Sequence, residues 1–171
     1  MLDRSTAAFL GVIAVILLAF LVVQSGAFVN AGEYDRTTVT VQEGDGGEQL
    51  ASVDVRIADT QDKRYLGLSN TSSLARDEGM LFVHDEEESH GYVMRRMDFP
   101  LDIIFVDANG TITTIHHAPT RENGARSMEP FQGHGKYVLE VNRGWTNRTG
   151  VAVGDTVEVP AEYASANATV D

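Results

Sequence analysis

Asn109-Gly110 stands between two apolar runs, LDIIFV and TITTIHH, and this pairing most narrows what the chain can fold into. Both central residues of a type I′ turn need positive φ, which Asn and Gly tolerate, so the segment reads as a β-hairpin. With a two-residue loop, Ala108 faces Thr111, and pairing walks outward from there. Val106 meets Thr113, Ile104 meets Ile115 and Asp102 meets His117. One further loop residue would place His116 opposite Asp102 instead. Either register sets an imidazole across from a carboxylate, within cross-strand reach.

Leu101, Ile103 and Phe105 share one face of the first strand, and Asp102, Ile104 and Val106 share the other. A strand apolar on both faces belongs inside a sheet. A carboxylate buried at its mouth requires a partner, because a lone charge there costs several kcal/mol. Arg95, Arg96, His116 and His117 are the nearest candidates. The expectation is a structural ion pair pinning a sheet corner, with a small polar ligand site as the alternative. Glu140, on the same face as Val138 in a later apolar run, joins the ligand-binding candidates.

The other elements are read in order. Residues 37–43 and 50–57 alternate with β-branched residues and predict two strands joined through a Gly-rich turn. Asp59, with Asp62 three residues on, predicts the cap of a short helix running toward Leu68, with Gly67 near its end. Residues 70–76 form a polar loop, and residues 77–83 a turn feeding an apolar strand. HDEEESH, residues 84–90, predicts a hydrated acidic loop; a metal held on a helix by His84 with Glu88, or Glu86 with His90, is the alternative. The irregular stretch 118–135 is long enough to cover something, with Met128, Phe131 and His134 as a candidate lid. Residues 136–142 and 156–159 are strands, residues 144–150 a helical piece around Trp145, and residues 161–171 a flexible tail. The fold expected is mostly β, a barrel-like or sandwich domain with one short α-helix over residues 33–160.

Before that domain comes a different kind of segment. Residues 5–32 carry no charge and residues 7–23 are nearly all apolar, enough for one transmembrane helix. Ser25-Gly26-Ala27 would suit a signal peptidase, but the apolar run exceeds an ordinary signal-peptide core. An uncleaved anchor over residues 1–32 is therefore expected, with Arg4 as the inside cue and the C-terminal domain outside the cell membrane. Four of the seven asparagines begin glycosylation sequons, at Asn70, Asn109, Asn147 and Asn167, which fits an exterior address. The formal charge of −12, with Lys63 and Lys136 the only lysines, argues against nucleic acid as a partner. It suits a protein hydrated in concentrated salt, as in a salt-loving archaeon. With no cysteine, burial alone must hold the fold.

Several residues in this order and spacing resemble the family called domain of unknown function 192. They are Arg64 with Gly67-Leu68, Leu74, Asp77 to Phe82, Met94, Pro100 to Phe105, Tyr137 to Glu140, Gly144 and Gly154-Asp155. The resemblance spans about residues 38–159 and implies a compact, mostly β domain with one short helix. It implies no reaction, since the family's role is unestablished. The chain departs from the family pattern at Thr71, Val93 and Arg96-Met97.

Three functions are compatible with these residues. A non-catalytic binding or accessory domain displayed at the cell surface, with an unknown protein or small-molecule partner and no cofactor, fits best. No serine lies in a nucleophile elbow and there is no thiol. A soft copper site drawn from Met80, Met94, Met97 and Met128 with the five histidines, Met94 and His117 the named candidates, is the second. A hydrolytic enzyme in which Asp102 orients His117 as base is the third.

Overall fold

The computed structural model describes residues 32–44, 46–120 and 129–164. The proposed anchor at residues 7–23, Met128 and the Asn167 sequon lie outside the described residues. The described chain is mostly β. It runs β1 (Arg36–Gln42), β2 (Gln49–Ala58), α1 (Gln61–Leu66), β3 (Glu78–Tyr92), β4 (Leu101–Val106), β5 (Ile112–Ala118), β6 (Phe131–Asn142), α2 (Trp145–Thr149), β7 (Thr156–Glu158) and α3 (Ala161–Ala164). Among the described residues there are three short helices: the one expected after Asp59, the helical piece around Trp145, and an unexpected third within the presumed tail.

The strands form one sheet in the order β5-β4-β6-β3-β2-β1-β7. All neighbours are antiparallel except β2 and β3, whose parallel pairing obliges the chain to cross over. That crossover carries α1. The sheet curls into a half-barrel until its two ends touch at an isolated bridge, Thr111 to Thr156. Ile112 N donates to Asp155 O and Val157 N to Gly110 O, each at 2.8 Å. Gly110 is required here twice over: its φ is 90°, and a Cβ would sit 2.7 Å from Val157 O.

Alternation along each strand divides the core in two. Val39, Val53, Val55, Ile57, Leu81, Ile104 and Leu139 fill the inner face together with Trp145. Met80, Phe82, Leu101, Ile103, Phe105 and Val138 fill the other face, covered by Leu68, Leu74, Met94, Met97 and Phe99. All six residues of β4 are buried, as its two-faced apolar pattern requires. Gly133 of β6 lies against the Phe105 ring so closely that a Cβ would fall 2.3 Å from Cγ. Phe105 is fully buried and has nowhere to retreat. Gly133→Ala should destabilise by about 1–3 kcal/mol, the range for overpacking. Urea unfolding reads this directly, and Phe105→Leu in the same chain should recover part of the loss; an unchanged midpoint for Gly133→Ala would refute the contact.

The hairpin keeps the expected partner for Asp102 by an unexpected route. Asp102 pairs with His117 and Ile104 with Ile115, but Val106 pairs with Ile112, not Thr113. The turn is not type I′, since Asn109 does not have positive φ. Asp107 O accepts from Gly110 N, and Asp107 N donates to Thr111 O, so the loop holds one residue more. Asp107 Oδ1 accepts from Asn109 N and Thr111 N, both at 2.8 Å, which favours this turn over the mirror-image one. A bulge between Phe105 and Val106 then restores the register.

Other expectations shift as well. Thr60, not Asp59, caps α1, its hydroxyl accepting from Lys63 N at 3.3 Å, while Asp59 pairs with Lys63 Nζ at 3.0 Å. Gly67 ends the helix with φ of 50°. Residues 84–90 are neither loop nor helix but the continuation of β3, exposed from Asp85 to Ser89. Phe131 and His134 belong to β6, so they are sheet and not lid.

Candidate functional site

Asp102 is fully buried and both its oxygens are occupied. Oδ1 lies 2.7 Å from His117 Nδ1. Because a carboxylate only accepts, Nδ1 carries the hydrogen. Oδ2 accepts from Gly144 N at 3.1 Å, Thr146 N at 3.0 Å and Thr146 Oγ1 at 2.9 Å. Those amides open α2, whose cap position is Gly144 and supplies no side chain. Asp102 thus does from another strand what an N-cap residue normally does. The carboxylate is a pin between hairpin and helix, the structural reading of the corner.

The other candidates divide by face. His116 points opposite to His117: its Nε2 donates to Gln132 O at 2.7 Å, and its ring packs 5.8 Å from Phe105 and 5.5 Å from Phe131. Arg95 and Arg96 do not reach Asp102. Arg96 is exposed at φ 56°. The Arg95 guanidinium stacks 4.1 Å above the Tyr65 ring centroid and donates to Tyr65 O. Met94 packs with the face that holds Phe105, away from His117. The structure therefore does not bring Met94 and His117 together. Among the described residues, no group of three or more His, Cys, Asp or Glu could hold a metal ion.

A cleft elsewhere does gather chemistry. About 470 Å³ in volume, it opens between α1, the turn after it, the distal half of β3 and residues 91–97. Its lining includes two of the sequence candidates, Arg95 and Glu140, with Arg64, Phe82, His84, His90, Tyr92 and Met97. Glu140 comes from β6, flanked across the sheet by Met80 on one side and Ile103 on the other. Those neighbours are apolar, and burial alone shifts its carboxyl, with no hydrogen bond or neighbouring charge contributing. Burial pushes it up to about 8 from 4.5. At neutral pH it is a protonated acid and a hydrogen-bond donor.

The two histidines arise from an irregularity in β3. Val83 pairs with Tyr137 but Glu88 with Gly135, so β3 carries three more residues than β6 over this span. That excess folds the strand until His84 and His90 stack, ring centroids 3.5 Å apart and planes 15° from parallel. His84 Nε2 lies 2.9 Å from Tyr92 Oη. Burial, with His90 and Arg64 nearby, pushes His84 down to about 3, and burial lowers His90 too. His90 Nε2 is buried without a partner. Arg64 reaches in from α1, its guanidinium donating to Asp59 O at 2.9 Å and Val83 O at 2.7 Å. Sequence reasoning identified Glu140 and Arg95 but placed neither at this cleft. His84 and His90 were visible as a cluster, yet their stacking depends on the bulge.

The solved structures similar to this chain share its fold. One, from Sinorhizobium meliloti 1021 and described as a candidate transcription regulator, is 30% identical with a TM-score of 0.67, covering 75% of this chain and 97% of that one. Another, of unknown function from Novosphingobium aromaticivorans DSM 12444, is 27% identical with a TM-score of 0.64, covering 77% and 96%. Among curated proteins, none matches. The family model of DUF192, described as an uncharacterized ACR, matches residues 40–159, nearly the whole sheet from β1 to β7. This chain belongs to the DUF192 family.

Proposed function

We propose that this protein is a membrane-anchored, extracytoplasmic binding domain that takes a small molecule in the cleft beneath α1 and does no chemistry on it. One observation carries the reading: Glu140 is buried among apolar neighbours, with burial alone shifting its carboxyl, and it lines a cleft. A buried polar group without a partner costs about 1–3 kcal/mol, so its retention beside an opening is explained by a ligand that completes it. The hydrolytic alternative is not favoured, because neither Asp102 nor His117 lines this cleft. The anchor rests on residues 7–23 and the exterior address on the sequons, while the charge of −12 suits a surface bathed in strong salt.

Two measurements test this. The full-length protein should remain in the membrane pellet after carbonate washing; release into the supernatant defeats the anchor. Purified in mild detergent and extracted for mass spectrometry, it should carry an enriched small molecule that a Glu140→Leu variant lacks. The same molecules in equal amounts from both would show that the cleft is not the binding site.

A further inference from the structure

The cleft's charges point to a chemical class of ligand. Arg64 and Arg95 both line it. Arg64 has Asp85 at 3.8 Å, an exposed carboxylate at the rim. Arg95 makes no ion pair among the described residues, its guanidinium lying flat on Tyr65. Stacking leaves a guanidinium's in-plane donors available to a carboxylate. The remaining walls are predominantly apolar, with Phe82, Tyr92, Val93 and Met97 among them.

Resting on the reading of this cleft as a ligand site, we propose that it binds a small carboxylic acid with an apolar body, its carboxylate engaged by Arg95 and its complement completed by Glu140. A cation would meet two guanidinium groups in the lining. An anion meets them with opposite charge, and Glu140 need not oppose it, because a protonated carboxyl donates where an ionised one repels. The groups facing Glu140 leave this balance intact. Tyr92 on β3 is held neutral by burial, pushed well above 10, and His84 and His90 are kept neutral by burial as well. Arg64 from α1 and Arg95 from the segment after β3 supply the positive charge.

Calorimetric titration of the full-length protein in detergent with three probes of one skeleton tests the idea. These are 4-phenylbutyrate, 4-phenylbutanamide and 4-phenylbutylamine. The carboxylate should bind at least tenfold more tightly than the amide, and the amine not measurably. Arg95→Gln should weaken carboxylate binding tenfold or more. Affinity should also fall about tenfold per pH unit above the pH at which Glu140 ionises, about 8. Glu140→Gln, a permanently neutral donor, should flatten that profile. Preference for the amine or the amide, or binding indifferent to Arg95→Gln, would overturn the ligand class. It would leave the cleft itself to be judged by the co-purification experiment. Binding of none of the three probes would equally overturn the assignment to apolar carboxylates.

Discussion

Asp102→Ala should destabilise the domain by about 3–5 kcal/mol, the range for removing one member of a buried polar network and stranding the rest. The substitution orphans Gly144 N, Thr146 N and Thr146 Oγ1, all aimed at one carboxylate oxygen, and empties the space between β4 and α2. Helix α2 is only five residues long and cannot hold itself together without its cap. It also carries Trp145, fully buried in the inner core and the protein's only tryptophan. Loosening of the helix should therefore appear as a red shift of native-state tryptophan emission, along with a lower denaturant midpoint. His117→Ala supplies the contrast. Its side chain is 43% exposed and bonds only one oxygen, so the loss should be about 1 kcal/mol with emission unchanged. Equal effects of the two substitutions would mean that the pair, not the helix cap, is what Asp102 provides.

The second large effect concerns pH. Glu140 is an acid held at about 8 in the fold and near 4.5 when unfolded. Its favourable state, protonated, is fully present below 4.5. Stability is lost as pH rises from there through about 8, at roughly 1.4 kcal/mol per pH unit. His84 acts in the opposite direction. Held at about 3 against an ordinary 6.5, it contributes stability above 6.5 that is lost as pH falls toward 3. Between 4.5 and 6.5 the two slopes cancel, and stability from these groups is level; on either side it declines. Glu140→Leu should remove the alkaline decline and leave the variant more stable than the native protein by roughly 3–4 kcal/mol at neutral pH. Chemical unfolding at a series of pH values checks this. Parallel native and variant curves from pH 5 to 8 would refute a buried, uncompensated acid. A domain stabilised by losing a residue at its cleft would show a familiar exchange of stability for function.

How much of this was legible in the sequence depended on distance along the chain. The strands at residues 37–43, 50–57, 136–142 and 156–159 follow from local alternation of β-branched and polar residues. Of the two imidazole partners left open for Asp102, the structure takes His117, and it does so through compensation. Asp107 lengthened the turn by one residue and the bulge before Val106 removed the slip. Local rules could not supply either correction, because each depends on side-chain acceptors and on the closure at Thr111. The cleft was less legible still. Glu140 lies on β6, which joins β3 and β4 only through pairings remote in sequence. The face-to-face histidines require three surplus residues in β3, and an acidic run gives no sign that it will continue a strand. Arg64 stood out only through the family resemblance. Of the two arginines preceding Asp102 in sequence, Arg95 was drawn elsewhere by Tyr65, a contact between a helix and a later segment.

The sheet places β1, the earliest strand, beside β7, the latest, with Val41 opposite Val157. Such an arrangement makes the ribosome a timekeeper. Strands in the middle of the order can associate while synthesis continues, but the curl stays unlatched until residues 156–158 have emerged, since nothing earlier can occupy that place. A nascent chain still lacking β7 is thus an open sheet with an unpaired border, exposed to proteases until residues 156–158 arrive.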